Sequence, residues 1–165
     1  MIFPLCHVKR RERLKMATAC RTQIDWQHLS CAMSFYASHG FQYIEVPWIV
    51  SSLATSLTFD GNPHRTQYGD LVGSAEQSFI QILDNKLLQK GSYCACTPCF
   101  RDEVNGFDLW HHKWFMKVEL IDVRGGDQDT LDRHLAQMQV HAIDFFQGLE
   151  YPLQGLDVRY NGLPD

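Results

Sequence analysis

Apolar residues recur at helical spacing in three stretches of this chain. In the first stretch they are three or four residues apart: Trp26, Leu29, Met33 and Tyr36. This spacing places them on one face of a helix. Asp25 is a suitable N-cap, and Gly40 is a suitable stop. The pattern therefore predicts a helix over residues 25–39.

The same spacing predicts two further helices. One covers residues 75–90, with Ser74 as its cap and Gly91 as its stop. The other covers residues 130–147 and has the most regular pattern. Its apolar positions are Leu131, Leu135, Met138, Ala142 and Phe145. We expect this face to pack against the core.

Strands are predicted where β-branched and aromatic residues cluster, at residues 41–47, 71–72, 93–101, 114–123 and 156–160. The turn signal Asn105-Gly106 joins the two longest strands as an antiparallel hairpin. Residues 51–70 are polar and carry glycine and proline, so we expect a loop with short pieces of regular structure. Helices interspersed with a hairpin predict an α+β fold, in which helices flank an antiparallel β-sheet. No glycine-rich dinucleotide or phosphate-loop fingerprint is present.

Composition indicates a soluble protein with a hydrophobic core. The chain has 165 residues, of which 45% are hydrophobic and 21% are charged, which argues against disorder. The net charge of -4 argues against binding nucleic acid through a global positive field. No apolar stretch approaches the ~20 residues of a membrane span, so no membrane partner is expected. The six cysteines are expected to be thiols in a reducing cytoplasm.

The first residues differ in character from the rest of the chain. We predict a flexible N-terminal tail over residues 1–24 and one domain over residues 25–165. The basic run Lys9-Arg10-Arg11 is interpreted as a solvated terminus, with an RNA-binding arm as the alternative. Met16 is an alternative start to Met1.

The predicted hairpin gathers residues that could bind a nucleotide. Arg101 and Glu103 are two apart on a strand and share a face, as do Phe115, Lys117 and Glu119 on its partner. Arginine binds phosphate through a two-nitrogen fork, an aromatic ring stacks on a base, and carboxylates hold an amine or a metal. The alternative is a ladder of surface salt bridges on an amphipathic hairpin.

Cysteines near the hairpin suggest a second type of site. Cys94, Cys96 and Cys99 could hold zinc with His111 or His112 as the fourth ligand. Their spacing lacks a second Cys-x-x-Cys pair, so we interpret them as buried thiols and predict no metal site.

Three segments in register resemble a known family. Phe100-Arg101-Asp102-Glu103, followed by His111, Phe115 and Glu119, resembles motif 2 of the class II aminoacyl-tRNA synthetases. Within it, Lys117-Val118-Glu119-Leu120 is most similar to the seryl branch. The segment from Gly40 to Pro47 resembles motif 1. Ser74-Ala75-Glu76-Gln77 resembles the Thr-x-Glu loop of the same family. The resemblance covers residues 25–160 and implies a class II synthetase-like fold.

The resemblance implies a site for ATP and Mg²⁺. Arg101 would be catalytic, because it would bind the α-phosphate and stabilise the charge that develops there. Glu103 would lie against the edge of adenine, and Phe115 would stack on its face. His111 would lie near the γ-phosphate, and Mg²⁺ would shield the phosphates.

The resemblance also implies an amino acid site and a dimer. Ser74 and Glu76 belong to the loop that holds the α-ammonium group, and Glu119 would reach the amino acid pocket. Pro47 would lie at the interface of a homodimer. The partners expected are an amino acid, ATP and the acceptor end of a tRNA.

Nothing up to Asp165 resembles motif 3 of the family, so we expect a core that is incomplete at its C-terminus. Two functional hypotheses follow. The first is ATP-dependent formation of an aminoacyl-adenylate, with transfer to a tRNA or another carrier. The alternative is a non-catalytic, synthetase-like module that acts in binding or regulation.

Overall fold

The computed structural model describes residues 24–59, 61–102 and 113–149. Several predictions lie outside these residues. They concern the tail up to residue 23, Glu103, His111 and the strand at 156–160.

Four helices and six strands make up the described residues. In chain order they are α1 (Trp26–Ser38), β1 (Gln42–Tyr43), β2 (Ile49–Val50), α2 (Ser52–Ser56), β3 (Arg65–Thr66), β4 (Gly69–Leu71), α3 (Ala75–Asp84), β5 (Gly91–Phe100), β6 (Trp114–Val123) and α4 (Gln128–Gly148). None of the helices within these residues is long and apolar enough to cross a membrane.

The strands form two small sheets. The first has the order β1-β5-β6, and the second has the order β2-β4-β3. β5 and β6 pair antiparallel along their whole length, from Gly91 opposite Val123 to Phe100 opposite Trp114. The predicted hairpin strands and the α+β fold class are thereby confirmed. β1 runs parallel to β5, so the first sheet is mixed rather than purely antiparallel.

Capping residues mark the ends of α1 and the start of α4 where the sequence predicts them. The Asp25 carboxylate accepts a hydrogen bond of 3.1 Å from the His28 amide at the start of α1. Beyond its end, Gly40 adopts a positive φ of 89°, which suits a residue without a Cβ. Asp127 caps α4 by accepting from the Thr130 amide at 3.0 Å. α1 and α4 therefore match their predicted bounds within two residues.

The end predicted for the helix at 75–90 is wrong. α3 stops at Asp84, because Lys86 adopts a positive φ of 56° and cannot continue a right-handed helix. The amides of Lys86 and Leu87 then donate to the carbonyls of Leu83 and Ile82, which closes the helix end. Gly91 instead begins β5.

Two more local predictions can be compared with the structure. The short pieces expected in the loop at 51–70 are α2 and the hairpin β3–β4. Thr66 tightens this hairpin, since its hydroxyl donates to the Gly69 carbonyl at 2.8 Å. The predicted strand at 41–47 is regular only at β1. Beyond β1, the Ile44 amide still donates to the Cys94 carbonyl at 3.0 Å.

The core lies on both faces of β5. One face packs on α1 and α4, through Ala32, Tyr36, Phe41, Cys94 and Phe145. The other face packs on α3, through Val46, Ala75, Phe79, Tyr93 and Ala95. Leu131 and Leu135, predicted on the core face of α4, are 39% and 47% exposed. The described core contacts of α4 come from Met138 and Phe145, so its first turns remain outside the core.

The cysteines of β5 are divided between its two faces. Side chains alternate along a strand, so Cys94 and Cys96 lie on one face and Cys99 lies on the other. Burial raises the pKa of all three thiols, that of Cys99 to about 11. These three thiols therefore do not form one zinc site.

We predict that Cys96 reacts with iodoacetamide before Cys94 and Cys99. Cys94 and Cys99 are fully buried, whereas Cys96 is partly exposed, and reaction requires an accessible thiolate. We expect at least ~10-fold slower alkylation of Cys94 and Cys99 near neutral pH, measured by peptide mass spectrometry. Denatured protein is the control, in which the three rates should converge. Equal rates in the folded protein would contradict the burial.

A second prediction concerns Gly69, which has a φ of 140°. A Cβ at this position would overlap the carbonyl oxygen of Val50, whereas a Cβ at Gly40 meets nothing within 4 Å. Gly69→Ala should lower the free energy of unfolding by more than about 2 kcal/mol. The matched control Gly40→Ala should lower it by only about 1 kcal/mol, from backbone strain alone. Urea unfolding measures both, and an equal loss would contradict the close approach.

Candidate functional site

The loop before α3 is joined to the end of β5. The Val72 amide donates to the Trp48 carbonyl at 3.0 Å, and the Val72 carbonyl accepts from the Phe100 amide at 2.8 Å. These bonds place Gly73 and Ser74 beside Arg101, the next residue after β5. The amide of Gly73 also donates to the Gln77 side chain at 2.8 Å, so the loop is held from both directions.

Gly73 is confined by its neighbours. A Cβ there would lie 3.3 Å from the Phe59 ring and 3.4 Å from the Phe100 carbonyl oxygen. A Cβ would therefore fit only if the Phe59 ring shifted by a few tenths of an ångström. Sequence reasoning missed both Gly73 and Phe59, because their proximity comes from tertiary packing.

Glu119, in the middle of β6, binds the N-terminus of α3. Its Oε1 accepts from the Ser74 hydroxyl at 2.6 Å, and its Oε2 accepts from the Ala75 amide. The Lys117 ammonium donates to Oε1 at 2.7 Å. A carboxylate is favourable at a helix N-terminus, because unpaired amides and the helix dipole point toward it. The structure thus brings together Ser74 and Glu119, which are far apart in sequence.

Ser74 has a second role as the N-cap of α3. It forms a capping box, in which the side chains of Ser74 and Gln77 each bind the backbone of the other. The Glu76 amide lies at the limit of bonding distance from the Ser74 hydroxyl, at 3.5 Å. The residues predicted from the Thr-x-Glu resemblance are therefore the first turn of a helix.

Arg101 lies against Phe115 with its guanidinium partly fixed. Its Nε donates to the Gly73 carbonyl at 3.1 Å, and its Cζ lies 5.5 Å from the centre of the Phe115 ring. Within the part of the chain that the structure describes, the two terminal nitrogens of Arg101 have no bonding partner. They form a planar fork of the kind that binds phosphate or carboxylate.

Glu76 is an exposed carboxylate near this cluster. Partial burial raises the pKa of Glu76, and the negative charge of Glu119 raises it further, while Lys117 lowers it. These opposing effects show that Glu76 lies within electrostatic range of both β6 charges. The site therefore combines two carboxylates, an ammonium, a guanidinium and an aromatic ring.

Pro47 lies apart from these charges. It is half-buried, and its carbonyl accepts a hydrogen bond of 2.6 Å from the Ser78 hydroxyl of α3. The next residue, Trp48, is 52% exposed. Glu103 and His111, the other two residues predicted for ATP, lie outside the described residues.

No metal centre is assembled in the described ranges. Within residues 24–59, 61–102 and 113–149, no three His, Cys, Asp or Glu side chains come together closely enough to hold an ion. The described part of the site can bind anions through Arg101 and cations through Glu76.

Of the comparisons with known proteins, the one with solved structures bears on the fold. No protein-family model matches the chain, and no curated protein matches its sequence. Two solved structures of pyrrolysyl-tRNA synthetase from Desulfitobacterium hafniense are similar, each with a TM-score of 0.57 and 14% identity. One match covers 84% of this chain and 51% of the other, and the second covers 82% and 52%.

This chain thus spans about half the length of the synthetase structures that it matches. At this level of identity the similarity concerns the fold. The predicted α+β fold of the class II aminoacyl-tRNA synthetase type is confirmed.

Proposed function

We propose that this chain forms the ATP- and amino acid-binding part of an enzyme that makes an aminoacyl-adenylate and transfers the amino acid to a tRNA or another carrier. The observation that carries the proposal is the convergence of Arg101, Ser74 and Glu119 where the loop before α3 meets the β5–β6 pair. The fold alone would not suffice, because one fold supports many functions.

The nucleotide would bind along Arg101 and Phe115. The fork of Arg101, which has no partner among the described residues, matches an α-phosphate, and the exposed part of the Phe115 ring offers a stacking surface for adenine. Glu103 and His111 are proposed for the adenine edge and the γ-phosphate on the basis of the family resemblance. Mg²⁺ would arrive with the nucleotide and shield its phosphates.

The amino acid would bind beside α3. Glu76 is proposed to hold its α-ammonium group, with Ser74 fixing the loop and Glu119 lying in the pocket. One oxygen of the substrate carboxylate then forms a bond to the α-phosphorus, while the bond to pyrophosphate breaks. Arg101 stabilises the negative charge that develops on the non-bridging oxygens of the α-phosphate. The carboxylate is already ionised, so the step needs positioning rather than a general base.

The resemblance of Lys117-Val118-Glu119 supports placing the enzyme near the seryl branch. The same proposal includes a homodimer with Pro47 at its interface, beside the exposed Trp48. It also includes the acceptor end of a tRNA as a partner and the cytoplasm as the location.

A non-catalytic binding module is the second candidate. The observation that favours it concerns Glu119, whose two oxygens already accept from Ser74, Ala75 and Lys117. A carboxylate engaged in this way can serve the fold alone. ATP or amino acid binding without adenylate formation would then be the activity.

ATP–pyrophosphate exchange with each proteinogenic amino acid tests the proposal. We expect exchange with one or a few amino acids, and Arg101→Ala should lower its rate by at least about 100-fold. The matched control is Arg124→Ala, which removes an arginine that binds Asp122 at 2.6 Å on the same sheet. That variant should retain exchange within about twofold, because Arg124 lies at the opposite end of the β5–β6 pair from Arg101.

The outcomes separate the two candidates. ATP binding without exchange, measured by calorimetry, would favour the binding module. Exchange that survives Arg101→Ala would refute the role of this arginine. Absence of both binding and exchange would refute both candidates.

A further prediction concerns the Ser74 hydroxyl. Ser74→Ala removes the N-cap and one donor to Glu119, so it should lower the free energy of unfolding by about 1–2 kcal/mol. It should also weaken amino acid binding, measured as a raised KM in exchange. Ser74→Thr keeps the hydroxyl and is the control. An alanine variant with unchanged stability and KM would contradict both roles.

A further inference from the structure

Lys117 forms an ion pair with Glu119 beside the proposed amino acid pocket. The two residues are two apart on β6 and share a face, with 2.7 Å between Nζ and Oε1. The side chain of Lys117 is 41% exposed, whereas that of Glu119 is 14% exposed. Lys117 therefore lies on the solvent side of a carboxylate that is mostly enclosed.

The Glu119 carboxylate is close to saturated. A carboxylate offers about four acceptor positions. Three are occupied, by the Ser74 hydroxyl and the Lys117 ammonium on Oε1 and by the Ala75 amide on Oε2. Among the described residues one position remains, on Oε2, and the negative charge is partly compensated by Lys117 and the N-terminus of α3. Glu119 can therefore accept one more hydrogen bond, but it offers little attraction to a cation.

Glu76 differs in this respect. Its carboxylate has no hydrogen-bond or ion-pair partner among the described residues, and it is exposed. Of the two carboxylates, Glu76 is the one with no cation bound to it among the described residues, so it attracts an ammonium group more strongly. The two acidic residues of the pocket are thus chemically unequal, and Lys117 is a main cause of the difference.

We propose that Lys117 is a specificity-determining residue, which neutralises Glu119 so that the pocket accepts amino acids with an uncharged side chain and rejects those with a cationic one. Without Lys117, two carboxylates would face the substrate and a second ammonium group would be attracted. Rejection by a fixed cation is a repulsive element of selectivity. This inference rests on the proposed function.

Three amino acids of equal carbon count test the inference. L-2-aminobutyrate, L-homoserine and L-2,4-diaminobutyrate differ only in an apolar, hydroxyl or ammonium side-chain end. In the unmodified chain, we expect kcat/KM for exchange to be at least ~10-fold lower with diaminobutyrate than with the better of the other two. Lys117→Met, which keeps the length and removes the charge, should cut that difference by about 10-fold. Lys117→Arg keeps the charge and should retain the original selectivity.

A second readout needs no substrate. Carboxyl NMR titration should show a higher pKa for Glu76 in Lys117→Met than in the unmodified chain, because Lys117 lowers this pKa. Lys117→Arg should leave it unchanged. A Glu76 pKa that does not move in Lys117→Met would overturn the inference, whether or not the chain activates an amino acid.

The remaining outcomes distinguish the inference from the function beneath it. Exchange with unchanged selectivity in Lys117→Met would overturn the inference and leave the proposed function standing. An equal loss of exchange with all three amino acids would assign Lys117 to the substrate carboxylate or phosphates, and would also overturn it. No exchange with any amino acid would overturn both. Thermal unfolding of each variant confirms that it is folded.

Discussion

Glu119 on β6 joins the N-terminus of α3 to the centre of the hairpin sheet, through the Ser74 hydroxyl and the Ala75 amide. A helix begins with amides that lack partners within the helix, and a carboxylate satisfies them while adding a favourable charge–dipole interaction. Placing that carboxylate on a strand fixes where the helix starts. This contact and the backbone bonds of Val72 together hold the loop that contains Gly73. The Gly73 carbonyl in turn accepts from Nε of Arg101 at 3.1 Å and orients it.

Local patterns were enough to predict the regular elements. Helical periodicity identified α1 and α4, and the β-rich run at 114–123 identified β6. Strand alternation also placed Phe115, Lys117 and Glu119 on one face. These patterns repeat within a few residues, so the sequence of one element is enough to identify it as a helix or a strand.

Features that depend on distant contacts were not predictable in this way. The parallel pairing of β1 with β5 joins Gln42 to Tyr93 across more than one element. The early end of α3 depends on the backbone conformation of Lys86. The saturation of Glu119 depends on Ser74, which is separated from it by 45 residues. A family resemblance brings Ser74 and Glu119 to one site, but it does not reveal that they bind each other.

Because Ser74 and Glu119 bind each other, the Glu119 carboxylate affects both the stability of the fold and the charge of the site. A mostly enclosed charge is costly unless donors surround it, and Glu119 meets this condition with an ammonium, a hydroxyl and an amide. The same donors fix the position of the Glu119 carboxylate before any ligand arrives. Its Oε2 could therefore accept a hydrogen bond from a ligand without rearrangement. They also remove most of its attraction for a cation. Stability of the α3–β6 junction and discrimination by charge therefore come from the same hydrogen bonds, and a substitution that alters one of these properties alters the other.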